Sequence, residues 1–392
     1  MRKVSKSLPF HGTPFPDELL SSWMVRLSMG NACKLHTFWT SFSHTGVWAR
    51  DIDRTVSDGF LTKLTTLSSE FSEVNFAQHT FRSFDYQNDG GISRKGTSSL
   101  ILPVGVYHRT RNKPGMQFCC RCLLEDREPY FRIRWRHVYQ FCCLKHKCYL
   151  QNSCHHCGHV VNFHRLALDD FKTLAICHRC SNSLSKVITC RAPLSVLKAQ
   201  RLFDSVFSRK WVLLKGERIY IVPFIQGVHQ LMKQILSFTT TEQLMKAIPE
   251  LTEEVDCENI ILPTEYGSVE HVHSIEKRAL ACCIVVKLLT NWPANFINLF
   301  IQLGWKSREF RHREMLPYWL KKVLQEQLNF APYRRNKVEI YSAGKALVKM
   351  NPHATACDLA KLLGTSSYDL ERNGFVDLSD ALVKGTNKDD RW

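Results

Sequence analysis

The chain has 392 residues, enough for roughly two to four domains, and its formal net charge is +17. Such an excess of positive charge favours a polyanionic partner, above all nucleic acid, because neutralised phosphates release counterions. The longest apolar run, from Ala279 to Leu289, is too short to span a bilayer and contains Lys287, so no transmembrane helix is expected. The N-terminal MRKVSKSLPF lacks the apolar region of a signal peptide, and we expect a reducing, cytoplasmic location.

Two amphipathic helices are predicted near the N-terminus. The first follows the prolines and acidic residues of Pro14–Glu18 and ends at Gly30. Further helical patterns lie on either side of the polar pair Ser68–Ser69, which is compatible with a helix-turn-helix that reads DNA or with a purely structural bundle. The apolar positions behind these predictions are Leu20, Trp23, Met24, Leu27; Leu35, Phe38, Trp39, Phe42; Phe60, Leu61, Leu64, Leu67; and Phe71, Val74.

Two carboxylates follow in a charged turn, where Asp51 and Asp53 are flanked by Arg50 and Arg54. The alternation of opposite charges favours an ion-paired helix cap over a metal site or an acid/base pair.

Four pairs of metal-ligand residues lie between positions 119 and 180. The pairs Cys119/Cys122 and Cys143/His146 form one predicted set, and Cys154/Cys157 with Cys177/Cys180 form the second. Two residues between ligands allow one tight turn to aim both at a single ion, and two such turns complete a tetrahedron. A set of four protein ligands leaves no position for water or substrate, so the spacing predicts two structural Zn²⁺ ions.

The register of the first set is open at the sequence level. Cys120, Cys142, Cys148 and Cys190 lie close enough to replace a neighbour, although only Cys119 and Cys143 keep the two-residue gap at both turns. Buried free thiols are the alternative to metal, and a disulfide framework is disfavoured by the reducing location.

Three arginines inside this region alternate with apolar residues. On a strand, Arg132, Arg134 and Arg136 would share one face and could contact phosphates. Pairing with the nearby Glu125, Asp126 and Glu128 is equally compatible with the pattern.

Helical periodicity returns after about residue 192. A short apolar stretch at Val212–Leu214 and Tyr220–Pro223 interrupts it, and Asn291–Pro293 should divide the most apolar segment, 276–303, into two helices. In the tail, the helical pattern of 355–363, the turn Gly364–Ser366 and the following Tyr368 and Leu370 predict a second helix-turn-helix-like element, for base reading or for docking.

Several of these motifs together resemble the TniQ/TnsD family of bacterial transposons. They are Phe118-Cys119-Cys120-Arg121-Cys122 with Leu123-Leu124-Glu125-Asp126, Pro129-Tyr130-Phe131-Arg132, Trp135-Arg136, Cys143-Leu144-Lys145-His146, Cys154-x-x-Cys157-Gly158, the N-terminal Glu18-Leu19-Leu20-Ser21-Ser22-Trp23 with Arg26-Leu27, and Asn291-Trp292-Pro293 with Phe296. The family usually has proline where this chain has Cys120.

The resemblance implies a bacterial factor that selects the target site for transposition. Members of the family mark the insertion site and recruit an AAA+ ATPase regulator, which brings the transposase. Some recognise an attachment site on DNA directly, whereas others sit as homodimers on an RNA-guided Cascade complex of a CRISPR-associated transposon.

Other function classes fit the sequence less well. A zinc deaminase needs a His-x-Glu pair ahead of its cysteines, and neither set has one. An HNH-type nuclease needs a catalytic His with metal-binding carboxylates, but His155, His156 and His159 have no acidic neighbours; a Walker loop is also missing. A zinc-containing transcription regulator remains as an alternative, and it would bind its operator without a transposition partner.

The expected protein is therefore a non-enzymatic, mainly α-helical, multi-domain adaptor. We predict an N-terminal helix-turn-helix-like domain over 1–85, a linker over 86–117, a tandem zinc-binding region over 118–190 and a C-terminal helical domain over 191–392.

Overall fold

The computed structural model describes residues 8–43, 48, 50–84, 100–105, 113–167, 173–186, 189–255, 260–264, 269–306, 310, 316–328, 337–363 and 370. The chain divides into two compact units, 1–328 and 329–392. The sequence-based boundaries at 85, 117 and 190 fall inside the first unit and stay predictions, and much of the predicted linker lies outside the described residues.

Four helices form the N-terminal part of the first unit around a core of aromatic rings. Trp23 and Trp39 are fully buried, and the indole N–H of Trp39 donates to the carbonyl of Met24 at 3.1 Å. The first helix ends at Gly30 as predicted, where Ala32 adopts a left-handed φ of 50° and the N–H of Cys33 donates to the carbonyl of Ser28 at 3.0 Å. The helices are α1 (Leu20–Gly30), α2 (Leu35–Ser43), α3 (Ile52–Thr55) and α4 (Asp58–Thr65).

The stretch after α4 folds into short 3-10 turns at Ser69–Phe71, Phe76–His79 and Phe81–Phe84. The apolar pattern at Phe71 therefore belongs to a 3-10 turn and not to a second α-helix. Such turns suit this stretch because they bury Phe71, Phe76 and Phe81 at irregular intervals that one α-helical face would not match.

The cysteine-rich region is built from one short helix, tight turns and a small hairpin. Helix α5 spans Cys120–Glu125, and strands β1 (Cys142–Cys143) and β2 (Cys148–Tyr149) pair antiparallel. The strand predicted for the three arginines is wrong: Ile133–Arg136 is a 3-10 helix. The alternation of a strand fails there because the adjacent Trp135 and Arg136 are both buried.

Helices dominate the rest of the first unit. The predicted division at Asn291–Pro293 is confirmed. Of the predicted apolar interruption, Val212–Leu214 and Tyr220 belong to a β-hairpin, whereas residues 221–223 already form the first turn of the next helix. Helix α10 lies centrally, in contact with α6, α7 and α11. The elements are α6 (Leu194–Arg209), β3 (Trp211–Leu214), β4 (Glu217–Tyr220), α7 (Ile221–Phe238), α8 (Thr241–Ala247), α9 (Pro249–Glu254), α10 (Ile275–Leu289), α11 (Ala294–Gln302) and α12 (Tyr318–Glu326).

Two buried polar side chains join these helices to the cysteine-rich region. Arg278 of α10 donates to the carbonyl of Val138 at 2.7 Å and to the side-chain oxygen of Gln117 at 2.5 Å. Gln200 of α6 accepts from the N–H of Phe141 at 3.0 Å and donates to the carbonyl of Tyr139 at 3.2 Å. Both satisfy backbone groups that burial would otherwise leave unpaired, so they fix the position of the segment that leads into β1.

The second unit contains α13 (Lys337–Met350) and α14 (Ala356–Leu363). Its small core includes Ile340, Leu359 and Leu370. Thr355 and Asp358 cap α14 reciprocally: the N–H of Thr355 donates to the Asp358 carboxylate at 2.9 Å, and the N–H of Asp358 donates to the Thr355 hydroxyl at 3.3 Å. The helix predicted over 355–363 is thus confirmed, whereas the turn after it and nearly all of the second tail helix fall outside the described residues.

The mainly α-helical class predicted from the sequence agrees with this architecture. Among the described residues, no helix is both long and apolar enough to cross a membrane.

Candidate metal centres

The first predicted ligand set comes from the start of one helix and from one hairpin. Cys119 immediately precedes α5 and Cys122 lies within its first turn. Cys143 ends β1, and His146 lies in the turn before β2, where Lys147 adopts a left-handed φ of 51°. Each element thus supplies two ligand atoms, and the tight hairpin brings its pair back to the helix start.

The ligand atoms of this set have the spacing of a tetrahedral zinc site. The sulfurs of Cys122 and Cys143 are 3.7 Å apart, and Nδ1 of His146 lies 3.3, 3.4 and 3.5 Å from the sulfurs of Cys119, Cys122 and Cys143. Tetrahedral Zn²⁺ with bonds of about 2.3 Å to sulfur and about 2.0 Å to nitrogen places sulfurs about 3.8 Å apart and sulfur about 3.5 Å from nitrogen. The four side chains therefore fit a structural zinc ion.

His146 is oriented from its other ring nitrogen. Nε2 lies 2.9 Å from Oε2 of Glu125, the last residue of α5, and Lys145 pairs with the same carboxylate at 2.8 Å. These hydrogen bonds, led by that of Lys145, lower the pKa of Glu125 to about 2. A carboxylate behind a histidine fixes the ring and leaves Nδ1 as the ligand atom.

The structure places Cys119 and Cys143, and not their neighbours, in the first cluster. The sulfur of Cys142 points instead towards Gln200, at 4.0 Å from its side-chain oxygen, and burial raises the pKa of the Cys120 thiol to about 12. Cys148 borders the cluster, with its sulfur 3.9 Å from that of Cys119. Cys190 lies outside the cluster and is exposed.

The second set consists of two turns with the same backbone pattern. In the first turn, the N–H of Gly158 donates to the carbonyl of Cys154 at 2.8 Å, and the N–H of Cys154 donates to the carbonyl of His159 at 2.8 Å. In the second turn, the N–H of Ser181 donates to the carbonyl of Cys177 at 2.8 Å, and the N–H of Cys177 donates to the carbonyl of Asn182 at 2.9 Å.

The residue after each second cysteine has a left-handed φ, of 68° at Gly158 and 54° at Ser181. Glycine adopts this conformation without strain, whereas an L residue such as serine does not. The glycine of the Cys-x-x-Cys-Gly motif is therefore explained by the turn that it closes.

The four sulfurs of the second set also fit tetrahedral zinc. Cys154 and Cys180 are 3.7 Å apart, as are Cys157 and Cys177. The backbone N–H of Asn182 is the main cause that lowers the pKa of the Cys180 thiol to about 6, whereas burial raises that of Cys177 to about 12. A divalent cation is what would hold all four as thiolates at neutral pH.

Both sets have the chemistry of closed structural sites. All four positions of each tetrahedron are taken by sulfur or imidazole nitrogen, which suits zinc and leaves no coordination position for a reacting water. Zinc at these sites would contribute folding free energy, since the four ligands of each set are brought together only in the folded chain.

The three arginines proposed for nucleic-acid contact have different environments. Arg132 makes a two-pronged contact with Asp126, at 2.8 and 3.1 Å, and lies over the ring of Tyr130. Arg134 pairs with Asp17, yet 56% of its side chain is exposed. The sequence suggested Glu125, Asp126 and Glu128 as partners of these arginines, and only Asp126 forms an ion pair with one of them.

Arg136 is fully buried and bound by the charged turn. It donates to Asp51 at 2.6 and 3.0 Å, to Asp53 at 3.2 Å and to the carbonyl of Leu102 at 2.8 Å. Asp51 and Asp53 are thus ion-paired as expected, but with an arginine from a distant part of the chain. Phosphate contact by the three arginines stays a prediction, and Arg134 offers the most exposed guanidinium for it.

A second buried charge network was missed at the sequence level. Glu18 is fully buried and accepts hydrogen bonds from Nε and Nη2 of Arg26 at 3.0 and 2.9 Å and from the hydroxyl of Ser22 at 2.9 Å. Arg26 also donates to Glu128 at 2.7 Å. No helical spacing could reveal the pair, because Glu18 lies just before α1 and only Arg26 lies within it.

Comparison with known proteins gives one family. The family model described as TniQ matches residues 9–150. The matched range contains the buried networks of Glu18 and Arg136 and the complete first cluster, and it ends before Cys154. A search of curated proteins gives no match.

Proposed function

We propose that this chain takes part in transposition as a target-site selection adaptor. In this role it marks the insertion site, on DNA or on an RNA-guided Cascade complex, and recruits an AAA+ ATPase regulator and, through it, the transposase. The proposal includes a homodimer as the working form.

The observation that carries this proposal is the TniQ match over residues 9–150. Within that range the N-terminal helices and the cysteine-rich region are joined by two ion pairs: Arg26 of α1 reaches the half-exposed Glu128, and the buried Arg136 reaches Asp51. Removing one partner of such a pair is costly, so the two parts should behave as one rigid body. A rigid platform suits a protein whose task is to hold other proteins at a chosen site.

A non-enzymatic role is part of the proposal. Both candidate zinc sites have four protein ligands. In the first site, one ring nitrogen of His146 is a candidate ligand and the other contacts Glu125, so the imidazole has no nitrogen left for acid/base catalysis. The carboxylates closest to these sites, including Glu125 and Asp126, are engaged with Lys145, His146 and Arg132. We therefore assign the zinc ions to the stability of the platform.

The test is an insertion assay in cells that contain the transposon with its ATPase and transposase. Deletion of the gene for this chain should abolish insertion at the target site, and the parent chain should restore it. Purified protein should also retain the ATPase in a pull-down. Undiminished targeted insertion without the chain would refute the adaptor role.

The two modes of targeting are separated by a binding experiment. The purified protein is offered attachment-site DNA and a guide-loaded Cascade complex at physiological salt. Binding to Cascade alone assigns site selection to the guide RNA, whereas sequence-dependent DNA binding that persists through a salt titration assigns it to this chain. Binding of one DNA sequence with no ATPase retained would favour a transcription regulator instead.

A further inference from the structure

Helix α6 carries a row of exposed basic side chains. In an α-helix, positions 198, 201, 205, 208 and 209 fall on one side, and the residues found there are Lys198, Arg201, Ser205, Ser208 and Arg209. The opposite side is buried and holds Val196, Phe203 and Val206 among others. Lys198, Arg201 and Arg209 are all exposed. We call these three side chains the α6 basic stripe.

The stripe leads directly into the β3–β4 hairpin. Strand β3 begins two residues after α6 ends, and its turn carries Lys215 next to Gly216, both with a left-handed φ. Arg218 stacks over the ring of Trp211 with its guanidinium carbon 4.6 Å from the ring centre. Lys215 and Arg218 are exposed, so the hairpin extends the positive surface beyond the helix.

This surface differs from Arg26, Arg132 and Arg136, whose guanidinium groups are held by carboxylates. Among the described residues, no ion pair involves the α6 basic stripe, Lys215 or Arg218. Asp204, on α6 itself, accepts a hydrogen bond from the side-chain amide of Gln200 at 3.0 Å and interacts electrostatically with Arg134. Six of the eight charged residues between 194 and 220 are basic. Two exposed carboxylates lie beside this surface: Glu217 in the hairpin and Glu254, which accepts from the N–H of Ser195 at 2.8 Å. The excess of positive charge that remains raises the local concentration of anions.

The stripe is long enough to reach more than one phosphate. From Lys198 to Arg209 the helix rises by about 16 Å. One strand of duplex DNA carries a phosphate about every 3.4 Å along its axis while winding around it, so each of the three cations can meet a different phosphate. The two serines between the arginines are short and allow the helix to approach the backbone closely.

We propose that the α6 basic stripe, extended by the hairpin, binds the phosphate backbone of nucleic acid. The inference rests on the proposed function in one respect, namely that the nucleic acid is the target DNA or the guide RNA. The contact positions the protein and carries no base sequence, because lysine and arginine on phosphates do not distinguish bases.

The test is a triple variant, Lys198→Gln, Arg201→Gln and Arg209→Gln. Its affinity for a random-sequence DNA duplex and for a hairpin RNA of equal length is measured by fluorescence anisotropy over a salt series. We expect binding about tenfold weaker than in the parent and a salt slope lower by about three, one for each phosphate contact removed. A fourth change, Lys215→Gln, should lower the slope further. Loss with both nucleic acids, or with only one of them, supports the stripe and identifies its ligand.

The matched control removes three exposed lysines elsewhere, by Lys34→Gln, Lys322→Gln and Lys349→Gln. The net charge falls equally, so any general effect of charge is the same. Equal weakening of nucleic-acid binding in the control and the test variants overturns the proposal. So does an affinity of the test variant equal to that of the parent. A test variant that binds nucleic acid normally but no longer binds an acidic protein partner would overturn it as well. If targeted insertion still requires the chain in that case, the adaptor role stands and only this surface is wrong.

Discussion

Arg26 donates to Glu18 through Nε and Nη2, at 3.0 and 2.9 Å, in a pair from which solvent is almost fully excluded. The exposed fractions of the two side chains are 8% and 0%. The pair joins Glu18, which lies just before α1, to the second turn of that helix, and the remaining nitrogen of Arg26 reaches Glu128 beyond α5. One arginine therefore holds the N-terminal helix against the cysteine-rich region.

Removal of this arginine should destabilise the whole first unit. In Arg26→Met, the buried Glu18 carboxylate loses its counter-charge, which costs about 3 to 5 kcal/mol in the free energy of unfolding. Arg26→Lys should also destabilise, since an ammonium cannot make both contacts. The measurement is urea unfolding. As a control, Lys246→Met breaks an exposed pair with Glu242 and should leave the midpoint unchanged. Equal midpoints for Arg26→Met and the parent would contradict the assignment.

Two glycines give a matched pair of backbone substitutions. Gly158 has a φ of 68° and Gly59 lies in α4, and a Cβ added at either would meet no atom within 4 Å. Gly158→Ala should destabilise the second cluster by about 1 kcal/mol through backbone strain alone. Gly59→Ala should stabilise by about 0.5 kcal/mol, because alanine favours the helix. Zinc competition with a chelator should detect the first effect, and the thermal midpoint the second. A normal zinc affinity in Gly158→Ala would show that the turn is not strained.

The ligand sets could be predicted from the sequence because their geometry is local. Two residues between ligands define a turn, and each cluster needs only two such turns. The choice of Cys119 over Cys120 follows from the same spacing. What the sequence did not reveal was why Cys142 lies apart, which depends on Gln200 of α6, 58 residues away.

Charged residues were harder to predict because their partners are distant. Arg136 pairs with Asp51 across 85 positions and Arg26 with Glu128 across 102. A period of two in Arg132, Arg134 and Arg136 suggested a strand, yet the buried salt bridge of Arg136 and the buried ring of Trp135 impose a 3-10 helix. Helical periodicity was more informative, since α6 and α7 bury apolar residues at the helical spacing seen in the sequence.

Two zinc ions per chain are expected by elemental analysis of the purified protein. Cys157→Ala should lower the count to one and unfold the second cluster locally, which a loss of protection in hydrogen exchange over residues 154–184 would show. Cys190→Ala is the control, because this exposed cysteine lies outside both clusters and its removal should leave two ions bound. If Cys157→Ala lost its zinc without any change in hydrogen exchange or in thermal unfolding, the structural role of that ion would be disproved.

Acidification should destabilise the first unit through His137. Burial lowers the pKa of this histidine to about 4 in the folded chain, against an unfolded value of about 6.5. Between these values the unfolded state binds the proton more readily, so stability is lost as the pH falls from 6.5 towards 4. Asp53 acts in the opposite sense, since burial raises its pKa to about 6. Its contribution to stability is therefore largest at low pH and declines as the pH rises from about 4 to about 6.

The variant His137→Gln separates the two effects because Asp53 is the same in both proteins. Between pH 6.5 and 4.5 the parent should lose about 2 kcal/mol more unfolding free energy than the variant, as measured by urea unfolding at fixed zinc concentration. Release of zinc at low pH affects both proteins alike and cancels in the difference. Parallel curves for the two proteins would mean that His137 is not held neutral by burial between Phe81 and Phe207, whose rings lie 5.8 and 5.5 Å from its own.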